Sequence, residues 1–147
     1  EWAGVGPRPG SAAFEALGTS LTPVQTPVGD AWILTRDEAA ARAAPAEAVA
    51  PARLLPSGDP YFLLQGSDRD LLVPDAGQRQ ALWTPRVWPG ALLLAGEIAG
   101  TWRRADGVLT VQPWRKLSAA ERYAVAAEAA ALPLPGIRGP IVVRWDD

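Results

Sequence analysis

The sequence predicts an α+β protein in two parts. A short helix and a two-stranded hairpin come first, then a small antiparallel β-meander with flanking helices. Three stretches carry that prediction. Gly90 to Trp114 reads as successive strands, Leu92–Leu94, Glu97–Arg104 and Val108–Trp114, with turns at Ala95-Gly96 and Asp106-Gly107. An Asp-Gly pair between strand-like runs is a strong hairpin signal, because both turn positions tolerate positive φ. Ser118-Ala119-Ala120-Glu121 is a capping box that opens a helix. Pro9 to Thr35 reads as helix, strand, turn, strand.

Along the chain, Trp2 and Val5 look like the tail of a helix. Pro9 suits a first helical position, since the amide it lacks would be unpaired there anyway. Ala13, Phe14 and Leu17 share a face of that helix, and Gly18 is placed to end it with a left-handed residue. Ser20–Gln25 and Ala31–Thr35 are strand-like about a turn at Pro27–Asp30. This order is that of the closing half of a winged helix, whose short helix enters the major groove and whose turn is the wing. Asp37–Ala44 is a brief helix with Asp37 near its cap.

Pro45–Pro51 is a linker by composition, which sets expected domains at residues 1–44 and 53–147 joined by 45–52. Arg53–Pro56 begins the second. Ser57–Pro60 is a turn cluster, Tyr61–Leu64 a strand or short helix, and Pro74-Asp75 opens a helix to about Trp83. Thr84–Gly90 is a loop containing Trp88. In the returning meander strand Val108, Thr110 and Gln112 share one face, Leu109, Val111 and Pro113 the other. Neither face is cleanly polar, so the sheet is expected to be covered on most of both sides. Tyr123, Val125, Ala126, Ala130 and Leu132 form the expected apolar side of the last helix, and Ile141–Trp145 adds a final strand to the sheet.

A chain of 147 residues buries enough surface to hold itself without metal or disulfide. There is no cysteine and no histidine, which removes thiol nucleophiles, imidazole bases and thiolate or imidazole metal sites. No cofactor and no metal site is expected. A net charge of −2 argues mildly against a stand-alone nucleic-acid binder but leaves room for a local basic face. No apolar run approaches the ~18–20 residues that span a bilayer, and no signal-like segment precedes the first element, so the expected location is cytoplasmic, with no membrane partner. The chain opens inside a motif and reads as the carboxy-terminal portion of a longer protein. Thirteen arginines against one lysine fit a GC-rich bacterial genome.

The acidic residues that could make a site are Asp59, Asp68 and Asp70, and their surroundings are turn chemistry with an Arg69 ion pair. Gln78-Arg79-Gln80 reads as an exposed helix face. Trp102-Arg103-Arg104 is the densest basic spot, with Arg115 and Lys116 nearby. Adjacent arginines on a strand face opposite ways, so one is placed for a phosphate while the other packs on Trp102 or Trp114, or both are edge charges that block aggregation. Arg8 and Ser11 begin the short helix, where groove contacts come from. The wing carries no basic residue and ends in Asp30. Seven tryptophans invite a base-stacking platform, but most sit in alternating apolar segments and read as core.

Leu54-Leu55-Pro56, Gly58-Asp59-Pro60-Tyr61, Asp68-Arg69-Asp70-Leu71-Leu72-Val73-Pro74-Asp75 and Gly96-Glu97-Ile98-Ala99-Gly100-Thr101-Trp102-Arg103 occur in that order. This run resembles the carboxy-terminal half of the bacterial winged-helix DNA-binding domain-containing proteins, a group that includes DNA glycosylases which unhook crosslinked or alkylated bases. The resemblance implies tandem winged helices followed by a β-barrel-like domain. It also implies that the catalytic Gln-x-Gln of the glycosylase branch, with its apolar middle residue, lies in an amino-terminal portion outside this chain. Gln78-Arg79-Gln80 has a charged centre and the wrong position, and does not take that role.

The first expectation is therefore a DNA-binding accessory part that holds double-stranded DNA by its backbone, with Arg8 and Ser11 from the helix and Arg69, Arg103 and Arg104 from the second domain. One alternative is the non-catalytic portion of a glycosylase that removes crosslinked or alkylated bases. The other is a structural or protein-interaction module without nucleic-acid binding, which the acidic pI and the uncharged wing favour.

Overall fold

The computed structural model describes residues 6–26, 29–43, 50–63, 69–133, 136 and 139–146. The expected helix tail at Trp2 and Val5, the tip of the wing turn, most of the linker, and Leu64 to Asp68 lie outside the described residues. The chain divides into two compact units, residues 1–48 and 49–147.

In unit 1, helix α1 spans Pro7–Leu17, two residues longer at its start than expected. The proline at its first position is Pro7, with Gly6 as an extended N-cap. Gly18 ends the helix with φ 44° and ψ −119°, a positive φ that glycine adopts without a Cβ clash, though outside the left-handed helical well. Strands β1 (Leu21–Thr26) and β2 (Gly29–Leu34) pair antiparallel from Leu21↔Leu34 to Thr26↔Gly29. Pro23 is tolerated in β1 because each strand of a two-stranded ribbon is an edge. At the base of the ribbon Thr22 Oγ1 donates to Thr35 Oγ1 (3.1 Å), which donates to the Thr19 carbonyl (3.0 Å). Helix α2 (Glu38–Ala43) follows a single 3₁₀ turn. Among the described residues of unit 1, none is buried.

Unit 2 is built on one sheet in the order β3-β4-β5-β6-β7. Strands β3 (Arg53–Leu55), β4 (Gly90–Leu94), β5 (Glu97–Ala105) and β6 (Val108–Pro113) run antiparallel, and β7 (Val142–Trp145) lies parallel to β6. Among the described residues the strands do not close into the barrel that the resemblance implies. A parallel neighbour needs a long crossover, and helix α5 (Ala119–Ala131) supplies it between β6 and β7. The result is an open mixed sheet. The tight turns sit where the sequence puts them, with positive φ at Ala95 (51°), Gly96 (86°) and Asp106 (51°).

A β-bulge in β5 sets which side chains meet. Leu92 pairs with Gly100 and Leu93 with Ile98, so Ala99 is the extra residue. Ala99 and Trp102 then join the same core as Leu92, Leu94, Leu109 and Val111, under Val125 and Ala129 of α5. On the opposite face Ala91 and Ile98 join Phe62, Val73, Leu82 and Trp83. Phe62 comes from the turn before helix α3 (Arg69–Leu72), Val73 directly follows that helix, and Leu82 and Trp83 end helix α4 (Ala76–Leu82). Tyr61 and Phe62 lie in that turn rather than in a strand or helix, and Asp59 Oδ1 accepts from the Tyr61 amide (2.9 Å). Fully burying a side chain such as Phe62 contributes roughly 1.5–3 kcal/mol. Both buried indoles find acceptors: Trp102 Nε1 donates to the Leu55 carbonyl (2.9 Å) and Trp83 Nε1 to that of Phe62 (3.0 Å). Gly90 lies so close under the Trp102 ring and the Leu55 carbonyl that a Cβ would displace them.

Coverage of both faces holds for β3, β4 and much of β5, but not for β6 and β7. There Gln112, Val142 and Arg144 are exposed on the side away from α5. The apolar side of α5 is also shifted. Val125, Ala129 and Leu132 face the core, while Tyr123 is 78% exposed and Ala126 and Ala130 point outward. The capping box forms as expected: Ser118 Oγ accepts from the Glu121 amide (3.2 Å), and Glu121 Oε2 accepts from the Ser118 amide (2.8 Å).

Candidate nucleic-acid interface

Several cations of unit 2 are already engaged by carboxylates or rings. Arg53 pairs with Glu128 (3.2 Å), Arg79 with Asp70 (3.1 Å) and Arg115 with Glu121 (2.6 Å). Arg122 lies over the Trp145 ring at 4.6 Å. The Arg115 guanidinium, with help from the Ser118 amide and hydroxyl, holds the Glu121 carboxyl down at about 2. Arg115 is raised in turn, chiefly by the same bond. Arg115 thus serves the start of α5 rather than the solvent. Among the described residues Arg86, Arg103, Arg104, Lys116 and Arg144 have no carboxylate within ion-pair distance.

The loop between α4 and β4 organises part of this set. The Val87 carbonyl accepts from Thr84 Oγ1 (2.8 Å) and from Arg103 Nη2 (3.0 Å). The next residue, Trp88, stacks on the Arg69 guanidinium at 5.4 Å, and Trp83 stacks on it at 4.8 Å. A guanidinium in contact with two rings gains roughly 1–2 kcal/mol of cation–π attraction and loses freedom of aim. Arg69, Asp70, Arg79, Gln80 and Trp83 line a recess of about 290 Å³ beside it.

The structure therefore joins Arg69 and Arg103 through one loop. Arg104 faces the other side of β5 and donates to the Asp106 carbonyl at the hairpin tip (3.0 Å). Among the described residues the arginines that lie over tryptophan rings are Arg69 and Arg122, not Arg103 or Arg104. Arg8 and Ser11 are exposed in the first turns of α1, in unit 1. Gln78-Arg79-Gln80 is not a uniform exposed face. Gln80 is exposed, but Arg79 is half-buried, donates to the Val73 and Pro74 carbonyls and ties α3 to α4. Asp70 pairs with Arg79, and Asp68 lies outside the described residues.

Arg86 and Arg144 escaped the sequence reading. Alternation was the available signal for Arg144, since Val143 and Trp145 on either side of it pack on the α5 core. Among the described residues no group of three or more acidic side chains could hold a metal ion. Among them, too, no helix is long and apolar enough to cross a membrane.

A family model described as DNA glycosylase AlkZ-like matches residues 1–133. Among solved structures, the DNA glycosylase AlkZ of Streptomyces sahachiroi superposes with a TM-score of 0.76 at 23% identity. The match covers 97% of this chain and 38% of that one, and at this identity it speaks to the fold. No curated protein matches the chain. An α+β fold that matches a glycosylase structure over nearly its whole length agrees with the family match, and the chain belongs to the AlkZ-like DNA glycosylase family.

Proposed function

We propose that this chain is the non-catalytic part of a DNA repair glycosylase that removes crosslinked or alkylated bases, and that it holds the duplex by its phosphate backbone. Family membership over residues 1–133 carries the reading. The supporting chemistry is that Arg86, Arg103, Arg104 and Arg144 are exposed and, among the described residues, have no carboxylate within ion-pair distance. In this reading residues 1–44 act as the second half of a winged helix, with Arg8 and Ser11 directed to the groove and 45–52 as linker. Residues 53–147 supply Arg69, Arg103 and Arg104 to the backbone. Such contacts give affinity and salt dependence but little sequence information. Base excision itself belongs to residues outside this chain, because the glutamine pair here surrounds an arginine committed to Val73, Pro74 and Asp70.

Fluorescence anisotropy of the chain with a labelled duplex at ~50 mM salt tests the proposal. Binding that weakens when Arg103→Glu and Arg104→Glu are combined is the expected result. No binding, or binding that ignores both substitutions, rejects it.

A further inference from the structure

The uncovered half of the sheet has a charge pattern of its own. Trp102, Leu109, Val111, Val143 and Trp145 pack toward α5. The pleat turns their neighbours Arg103, Thr110 and Arg144 to the other face. The register sets these in one line across adjacent strands, Arg103↔Thr110 and Thr110↔Arg144. Arg103 and Arg144 are exposed, and Thr110 between them is half-buried. The two arginines stand two strand spacings apart, about 10 Å between Cα atoms. Neither has a carboxylate within ion-pair distance among the described residues, and the Val87 carbonyl steadies Arg103.

We infer that Arg103, Thr110 and Arg144 form a phosphate-seating row for one strand of duplex DNA. The inference rests on the DNA reading above and adds Arg144 and Thr110 to it. A flat row of two guanidinium forks with a hydroxyl between them matches consecutive phosphates, each fork able to take two oxygens. One strand of the duplex advances ~3.4 Å of axis per phosphate while also turning around that axis, so about 10 Å takes in roughly two of them. The row reads backbone alone. Exposed Asp146, two positions past Arg144 on the line of β7, opposes the same phosphates; its amide continues the ladder to the Val111 carbonyl (2.9 Å).

The full chain is titrated with labelled duplex over a salt series. Arg144→Gln weakens binding on the order of tenfold at low salt and lowers the salt slope by about 0.9. Asp146→Asn, which removes repulsion and disturbs no core contact, tightens binding. Arg42→Gln, in unit 1 and ion-paired to Glu38, changes neither. Binding whose slope is unchanged by Arg144→Gln, or whose affinity Asp146→Asn fails to raise, overturns the row and leaves the wider DNA reading standing. Failure of the unsubstituted chain to bind duplex overturns both.

Discussion

Units 1 and 2 have comparable shares of apolar residues and use them differently. Every buried hydrophobic residue among those described, from Ala52 to Ala129, belongs to unit 2. In unit 1 the large apolar side chains Phe14, Leu17 and Trp32 are 53%, 43% and 55% exposed. The difference lies in layers. A sheet with helices on both faces gives each apolar strand residue a partner, whereas a lone two-stranded ribbon is marginal by itself. Unit 2 holds itself together through side-chain burial, and unit 1 depends on its backbone ladder and the hydrogen bonds from Thr22 to the Thr35 hydroxyl and from Thr35 to the Thr19 carbonyl.

The sharpest way to break that comparison is to empty the core of unit 2. Phe62 is fully buried among Val73, Leu82, Trp83, Ala91 and Ile98, and its carbonyl accepts the Trp83 indole. Phe62→Ala costs about 3–5 kcal/mol in urea unfolding of the chain. A loss below about 1 kcal/mol would mean that the face of the sheet under α3 and α4 is not a core at all.

A smaller effect comes from the start of α5, at pH values that leave the core untouched. Glu121 is held at about 2 against its ordinary 4.5, first by the bond from Arg115 and then by Ser118. A depressed carboxylate stabilises the fold fully above its unfolded value, and that contribution fades as pH falls from about 4.5 toward about 2. Glu121→Gln therefore flattens the acid side of the stability curve over that window and lowers the plateau at neutral pH. Thermal melts from pH 2 to 7 check it, and an acid limb identical to that of the parent chain contradicts it.

Much of unit 2 could be read in advance because its signals are local. The Asp106-Gly107 turn, the Ser118–Glu121 box and the Asp75 cap, which accepts from the Gln78 amide, each depend on residues within a few positions. What could not be read depends on distant partners. Arg69 meets Trp83 and Trp88 only once the loop after α4 folds back, so the stretch around Arg69 gives no hint of the sandwich. The parallel pairing of β7 follows from α5 crossing the sheet, which alternation within Ile141–Trp145 does not encode. The phase of α5 went wrong because alanines mark neither face. Tyr123 looked like the anchor, and Arg122 over Trp145 lies beside the true one.

The smallest effect tests the other side of the comparison. Phe14 lies on α1, a helix with no buried residue, and leaves half its surface in water. Truncating a side chain that exposed removes few contacts and creates no cavity. Phe14→Ala should therefore stay within about 0.5 kcal/mol of the parent chain in the same urea titration. Local amide exchange sharpens the reading. If unit 1 opens independently, α1 amides exchange far faster than those of β4 to β6, and the substitution leaves the slow set of unit 2 unchanged. A cost of several kcal/mol at Phe14, with exchange in both units slowed or quickened together, would show that the exposed face of α1 is covered in solution. The contrast between a self-sufficient platform and a backbone-held hairpin would then fail at its weaker half.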